Sequence, residues 1–167
     1  MTAPDEARFA ALYDAHVGTV RQLCLGFCRG RPDVADDLSQ EVFVQVWRHL
    51  GRFRGEASAK TWITRIAVNT CLRYGRSRAR RADEAAELPP ELPGGATADD
   101  HADDPRFEAL YRAIGTLPEV DRLIYMLTLD GQTNAQIANV TGLSAGALRV
   151  RLHRANRKLR ELLRHAA

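Results

Sequence analysis

Long apolar runs are missing from this sequence. No stretch approaches the roughly 18 consecutive apolar residues that a membrane-spanning helix requires, and Met1 to Arg8 lacks the basic-then-apolar order of an export signal. The expectation is a soluble, cytoplasmic protein with no membrane contact of its own. Cysteine is scarce: three residues, an odd number, argue against a disulfide framework. Cys24 and Cys28 lie one helical turn apart. They are either buried small hydrophobes, the common fate of free cysteine, or a pair able to clip a metal or oxidise, although no neighbouring Cys/His pair completes a zinc set. No segment alternates apolar and polar residues as a strand does, and no internal repeat is evident. No catalytic constellation or metal-ligand spacing stands out, so neither an enzyme nor a cofactor is expected.

What the sequence has is segregated charge. The net charge is only +3 over 167 residues, yet cations and anions fall in separate blocks. From Ala145 to the C-terminus seven Arg or Lys (Arg149, Arg151, Arg154, Arg157, Lys158, Arg160, Arg164) face one acid, Glu161. Two helices are predicted around this block. Thr133 and Gln136 form a capping box, Gly142 suits a left-handed C-terminal residue, and Ser144 caps the second helix. In that helix Leu148, Leu152, Ala155, Leu159 and Leu162 recur at spacings of three and four as a core-facing stripe. The pattern is a helix-turn-helix whose basic second helix suits a DNA backbone, against the plainer reading of a solvated charged face.

The N-terminal part is also helical. Phe9, Leu12, Tyr13, His16, Val20, Leu23, Cys24 and Phe27 share one face, with Asp5 as expected N-cap and His16 as a core or boundary residue. Gly30-Arg31-Pro32 breaks the helix. From Asp33 a second helix buries Val34, Leu38, Val42, Val46 and Leu50 and turns Asp37, Gln40, Glu41, Val44 and Arg48 outward. A carboxylate-rich stripe with an exposed valine suits protein docking better than catalysis. After the loop Gly51 to Ala57, Ser58 caps a third helix with Ile63, Ile66, Ala67, Thr70 and Tyr74 inward. Trp62, Arg65, Asn69, Arg73 and Arg76 line another face. Ten basic residues against one acid, Glu56, between Arg48 and Arg81 make this a candidate surface for unpaired nucleic acid, where rings and planar cations stack on bases. Trp62 is either such a platform or a core plug.

From Asp83 to Pro105 the character reverses: eight acids, no Lys or Arg, and a Pro/Gly-rich centre at Leu88 to Gly95. Such composition buries too little apolar surface to order itself. The expected organisation is therefore all-α: a helical domain over 1–81, a flexible acidic linker over 82–105, and a helix-turn-helix domain over 106–167. At about 3.3 Å per residue the linker reaches on the order of 75 Å, roughly two turns of duplex DNA at about 35 Å each. After it, Phe107, Leu110, Tyr111 and Ile114 pattern one helix. Leu117-Pro118-Glu119 opens another bearing Val120, Leu123, Ile124 and Leu127.

Three groups of motifs, in this order and spacing, resemble the extracytoplasmic-function (ECF) group of bacterial sigma factors from about Leu12 to Leu163. They are Asp37-Leu38-Ser39-Gln40-Glu41-Val42-Phe43; Phe53-Arg54-Gly55-Glu56-Ala57-Ser58 with Thr61 to Asn69; and Leu117-Pro118 with Leu143 to Leu152. The resemblance implies that Asp37, Gln40, Glu41 and Val44 dock on the clamp of the largest subunit of core RNA polymerase, with the flap as a further contact. It implies that Phe53, Arg54, Ser58, Lys60, Trp62, Arg65, Asn69 and Arg73 hold an unstacked base and the melted strand of the downstream promoter element. Thr133, Ser144, Arg149, Arg151 and Arg154 would grip the upstream element in the major groove. An anti-sigma factor is a further possible partner. Ala147, Leu148 and Val150 depart from the family's usual residues and would tune promoter choice, and no appended sensor domain is expected after His165. Two other readings are a stand-alone helix-turn-helix regulator and a nuclease using Asp36, Asp37 and Glu41. The nuclease is disfavoured because Asp36 and Asp37 point about 100° apart on a helix.

Overall fold

The computed structural model describes residues 2–84 and 105–165. Most of the acidic linker expected over 82–105 lies outside the described residues. Among them every regular element is helical: α1 (Ala3–Phe27), α2 (Pro32–His49), a short 3-10 turn (Leu50–Arg52), α3 (Ala59–Glu84), α4 (Pro105–Gly115), α5 (Glu119–Leu129), α6 (Asn134–Thr141) and α7 (Ala145–His165). The all-α expectation holds. No described helix is long and apolar enough to cross a membrane.

Local chemistry accounts for the boundaries. The Ser58 hydroxyl accepts from the Thr61 amide at 3.1 Å and starts α3. Thr133 and Gln136 cap α6 reciprocally at 2.8 and 3.2 Å, Gly142 ends it at φ 75°, and Ser144 accepts from the Ala147 amide at 3.1 Å to start α7. Three details correct the expected pattern. Helix α1 begins at Ala3 with Thr2 as N-cap, and Asp5 instead reaches back to the Thr2 amide at 3.2 Å. Helix α2 takes in Pro32, whose fixed φ and missing N–H suit a first helical position. Helix α3 runs to Glu84, three residues into the segment assigned to the linker.

Helices α1, α2 and α3 pack on one another, and α4 to α7 form a second group. The two groups share one hydrophobic core. Every position of α1 from Leu23 to Phe27, and Cys28 beyond it, is buried; a helix buried all round needs cover on every side. Helices α2 and α3 supply one cover and α5 another. Thr64, Val68 and Cys71 are buried on α3 in addition to the expected Ile63, Ala67 and Thr70, Cys71 against Cys24 of α1, whereas the expected Ile66 and Tyr74 are only half-buried. On α7 the core row is Leu148, Ala155 and Leu159, with Leu152 half-buried. Leu162 is 37% exposed and Leu163 packs in its place, because a period of 3.6 drifts past a strict three-four alternation.

Candidate nucleic-acid interface

The loop after α2 and the first turns of α3 carry the most distinctive surface. Phe53 and Trp62 stack with ring centroids 4.5 Å apart and planes 17° from parallel. Both rings are half-buried, so Trp62 is not wholly enclosed as a core plug would be. Arg8 of α1 also lies over the Phe53 ring, 5.4 Å from its centroid, and its Nη2 donates to the Phe53 carbonyl at 3.4 Å. Arg8 gave no signal in the sequence, because 45 residues separate it from Phe53. Around this stack Arg54, Ser58, Lys60, Asn69 and Arg73 are exposed, and Arg65 is half-buried. Two of these cations are engaged by the second helical group: Lys60 pairs with Asp130 at 3.0 Å, and Arg65 donates to Asn139 at 2.9 Å. His16, half-buried on α1, is held below its ordinary pKa by burial, with the nearby Lys60 ammonium adding to the effect.

On α2, Asp37, Gln40, Glu41 and Val44 are all exposed, Val44 at 41%. Glu41 accepts from Gln45 one turn on at 2.7 Å. Asp37 and Glu41 line a shallow groove of about 350 Å³ with Arg73 and Tyr74 of α3, which sets carboxylates beside a cation. Asp36 points elsewhere, to Arg21 at 2.8 Å, so the three carboxylates of the nuclease reading do not converge. Among the described residues no cluster of three or more His, Cys, Asp or Glu could hold a metal. Cys24 lies 3.9 Å, sulfur to sulfur, from Cys71 of α3, a neighbour that the turn-apart spacing to Cys28 did not suggest. Burial pushes the Cys28 thiol up to about 11. For Cys71 the hydrogen bond with Cys24, and then burial, raise it well above the ordinary range.

At the helix-turn-helix, Thr133 and Ser144 spend their hydroxyls on caps. Arg149 near the start of α7 and Arg154 near its middle are exposed. Arg151 is not free: its Nη1 lies 2.8 Å from Asp121 of α5, a carboxylate only 13% exposed. On either side of Arg149, Ala147 and Val150 are exposed, Val150 at 49%, presenting small apolar groups on the same helix.

The comparisons with known proteins cover nearly all of this architecture. The Sigma-70 region 2 family model matches residues 12–81, and the Sigma-70, region 4 model matches residues 107–159. The ECF RNA polymerase sigma factor SigM of Mycobacterium tuberculosis is 31% identical over 162 residues, spanning 96% of this chain and 80% of that one. Among solved structures, the sigma factor RpoE in complex with the anti-sigma factor NepR from Bartonella quintana superposes with a TM-score of 0.81, covering 94% of this chain and 97% of that one; at 20% identity the likeness is one of fold. CnrH in complex with the cytosolic domain of CnrY superposes at 0.68 with 25% identity, over 97% and 91% of the two chains. With region 2 on α1 to α3, region 4 on α4 to α7 and a relative above 30% identity over 96% of this chain and 80% of its own length, this chain belongs to the ECF group of RNA polymerase sigma factors.

Proposed function

We propose that this sigma factor, which directs core RNA polymerase to promoters, divides that task among three surfaces of the described helices. The exposed row Asp37, Gln40, Glu41 and Val44 on α2 docks on the polymerase clamp. The Phe53–Trp62 stack, with Arg54, Ser58, Lys60, Arg65, Asn69 and Arg73 around it, receives the melted strand of the downstream element. The start of α7 enters the major groove of the upstream element. The domain division at 1–81 and 106–167 assigns one DNA grip to each helical group. The factor works in the cytoplasm with polymerase, and it initiates transcription without catalysing a covalent step.

The stacked rings carry this reading. Extruding a base from a duplex costs a few kcal/mol, and one base stacked on an aromatic returns about 1–3 kcal/mol. Stacking therefore offsets the cost only when cations hold the flanking phosphates as well, which is the role of Lys60, Arg65 and Arg73. On α7, Arg149 and Arg154 reach guanine edges or phosphates, and Ala147 and Val150 supply apolar contact for thymine methyl groups. Both solved neighbours are described in complexes, RpoE with the anti-sigma factor NepR and CnrH with CnrY, and a partner of the anti-sigma class is proposed here also.

Replacing Gln40 and Glu41 together by Lys tests the docking face. The expected outcome is loss of association with core polymerase in a pull-down, with helical content unchanged by circular dichroism. Promoter-dependent transcription by the double variant in a reconstituted assay would refute the assignment. Failure of the unmodified chain to bind core polymerase would instead favour a stand-alone regulator.

A further inference from the structure

We infer that Arg8 is a positioning residue of the strand-binding surface: from α1 it holds the Phe53 ring on Trp62, so that the stack is formed before a base arrives. The inference rests on the reading of that stack as the receiver of the melted strand.

The place of Arg8 is fixed by its neighbour in sequence. Phe9 packs edge-on against Phe43 and Trp47 of α2, with ring centroids 6.4 and 5.0 Å apart, and edge-to-face pairs hold a defined geometry. The second turn of α1 is thereby set against the C-terminal half of α2. The same end of α2 runs into the turn Leu50–Arg52, which delivers Phe53. Arg8 and Phe53 meet because one aromatic junction carries both, although they lie 45 positions apart in the chain.

The guanidinium is directed at Phe53 through two groups at once. Its carbon lies 5.4 Å from the ring centroid, inside the range of about 6 Å over which a cation is attracted to an aromatic face. Its Nη2 donates to the Phe53 carbonyl at 3.4 Å. Asp5 stands three residues before Arg8, a spacing at which a carboxylate pairs with a cation on a helix. Its Oδ2 turns instead to the Thr2 amide at 3.2 Å and the Thr2 hydroxyl at 2.9 Å. The acid is used in capping the helix, and the cation is turned to the ring.

Phe53 sits where such a hold matters. Its amide donates to the Leu50 carbonyl at 3.1 Å, but Arg54, Gly55 and Glu56 beyond it are exposed, and Gly55 has a φ of 75°. The next anchor is Ser58, whose hydroxyl accepts from the Thr61 amide at 3.1 Å and bonds the Thr61 hydroxyl at 2.9 Å. The Phe53 ring is only half-buried, so burial alone leaves it free to swing out. Only the stacked form presents two parallel rings to a base, and apparent affinity falls in proportion to the fraction stacked. An exposed cation over a ring shifts such an equilibrium about three- to fivefold. The charge of Arg8 thus acts on the ring, whereas Lys60, Arg65 and Arg73 are assigned to the phosphates.

The test uses holoenzyme reconstituted from core RNA polymerase and the full chain, with two fluorescent probes of equal length and charge. One is a random-sequence single strand of about 12 nucleotides, and the other is an abasic strand with the same phosphates. The ratio of the two affinities reads what the bases contribute. Arg8→Ala puts a better helix former at an exposed position, so helical content should be unchanged. It should lower the ratio about three- to fivefold while abasic-strand binding changes by less than about twofold. The slope of log affinity against log salt concentration should match the parent's. An arginine that serves a phosphate would weaken both strands alike and flatten the slope by about 0.7, and that result would overturn the inference. A ratio equal to the parent's would overturn it as well. Combining Arg8→Ala with Phe53→Ala shows whether Arg8 acts through the ring: once the ring is gone, losing Arg8 should cost nothing further, and a fully additive loss would defeat the inference. If Phe53→Ala alone leaves the ratio unchanged, the stack does not receive the strand and the reading beneath the inference fails. If Phe53→Ala lowers the ratio and Arg8→Ala does not, that reading stands and only the role of Arg8 is lost.

Discussion

Arg151 was expected to touch the upstream element, and its ion pair with Asp121 changes what its removal should do. A guanidinium 2.8 Å from a carboxylate that is 13% exposed is already neutralised locally, so it releases little counterion when duplex DNA binds. Each phosphate contact contributes about −0.9 to the slope of log affinity against log salt concentration. Arg151→Ala should therefore leave that slope within a few tenths of the parent value, whereas Arg149→Ala and Arg154→Ala, at exposed positions, should each flatten it by about 0.9. The cost of Arg151→Ala appears in stability instead. Exposed ion pairs contribute up to about 1 kcal/mol. Here the arginine side is 39% exposed, so about 1 kcal/mol is a fair discounted figure, a fall in Tm of roughly 2–4 °C for a chain of this size. Asp121→Ala provides the converse: it frees Arg151 and should steepen the slope toward one additional contact. Anisotropy titrations on duplex DNA at four salt concentrations, with thermal unfolding by circular dichroism, decide the matter. A slope flattened by about 0.9 in Arg151→Ala with Tm unchanged would refute the assignment of Arg151 to a structural pair.

Ser58→Ala removes the cap that starts α3 and should cost about 1 kcal/mol, read as a lower urea midpoint with an unchanged denaturant slope. The thiols should resist alkylation by iodoacetamide at pH 8 until the chain unfolds, since Cys28 stays protonated up to about 11; rapid labelling of the folded chain would show the core around Cys24 and Cys71 to be open. The same raised thiol adds stability that is complete below pH 9 and is lost as pH climbs from 9 toward 11, because the folded state holds the proton that the unfolded chain releases. Alkaline denaturation should accordingly set in above pH 9.

The parts of the fold that were legible in the sequence are those decided within one turn of helix. Capping chemistry at Ser58, Thr133 with Gln136, and Ser144, and the left-handed Gly142, placed the starts of α3, α6 and α7 and the end of α6. Small errors arose where two residues compete for one local role, as at Thr2 and Asp5, or where a stripe must choose between Leu162 and Leu163. Relations between distant segments were not legible. Nothing in the period of α1 announces that α5 covers it, although the run Leu23-Cys24-Leu25-Gly26-Phe27-Cys28, apolar on every side, is what two-sided burial demands. The candidate surfaces divide in the same way. Their residue types could be read from charge and aromatic content, but the pairing of Arg151 with Asp121, Lys60 with Asp130 and Arg8 with Phe53 depends on side chains 30, 70 and 45 positions apart.

The Phe53–Trp62 stack also gives the protein an optical signal of its own. The sequence contains two tryptophans, and they occupy different surroundings. Trp47 packs edge-on against Phe9 at 5.0 Å, whereas Trp62 lies flat on Phe53 where an incoming base would press on the same rings. With Trp47 replaced by Phe, the emission of a single indole would report the capture of an unpaired base in real time, in an unlabelled protein and on unmodified DNA.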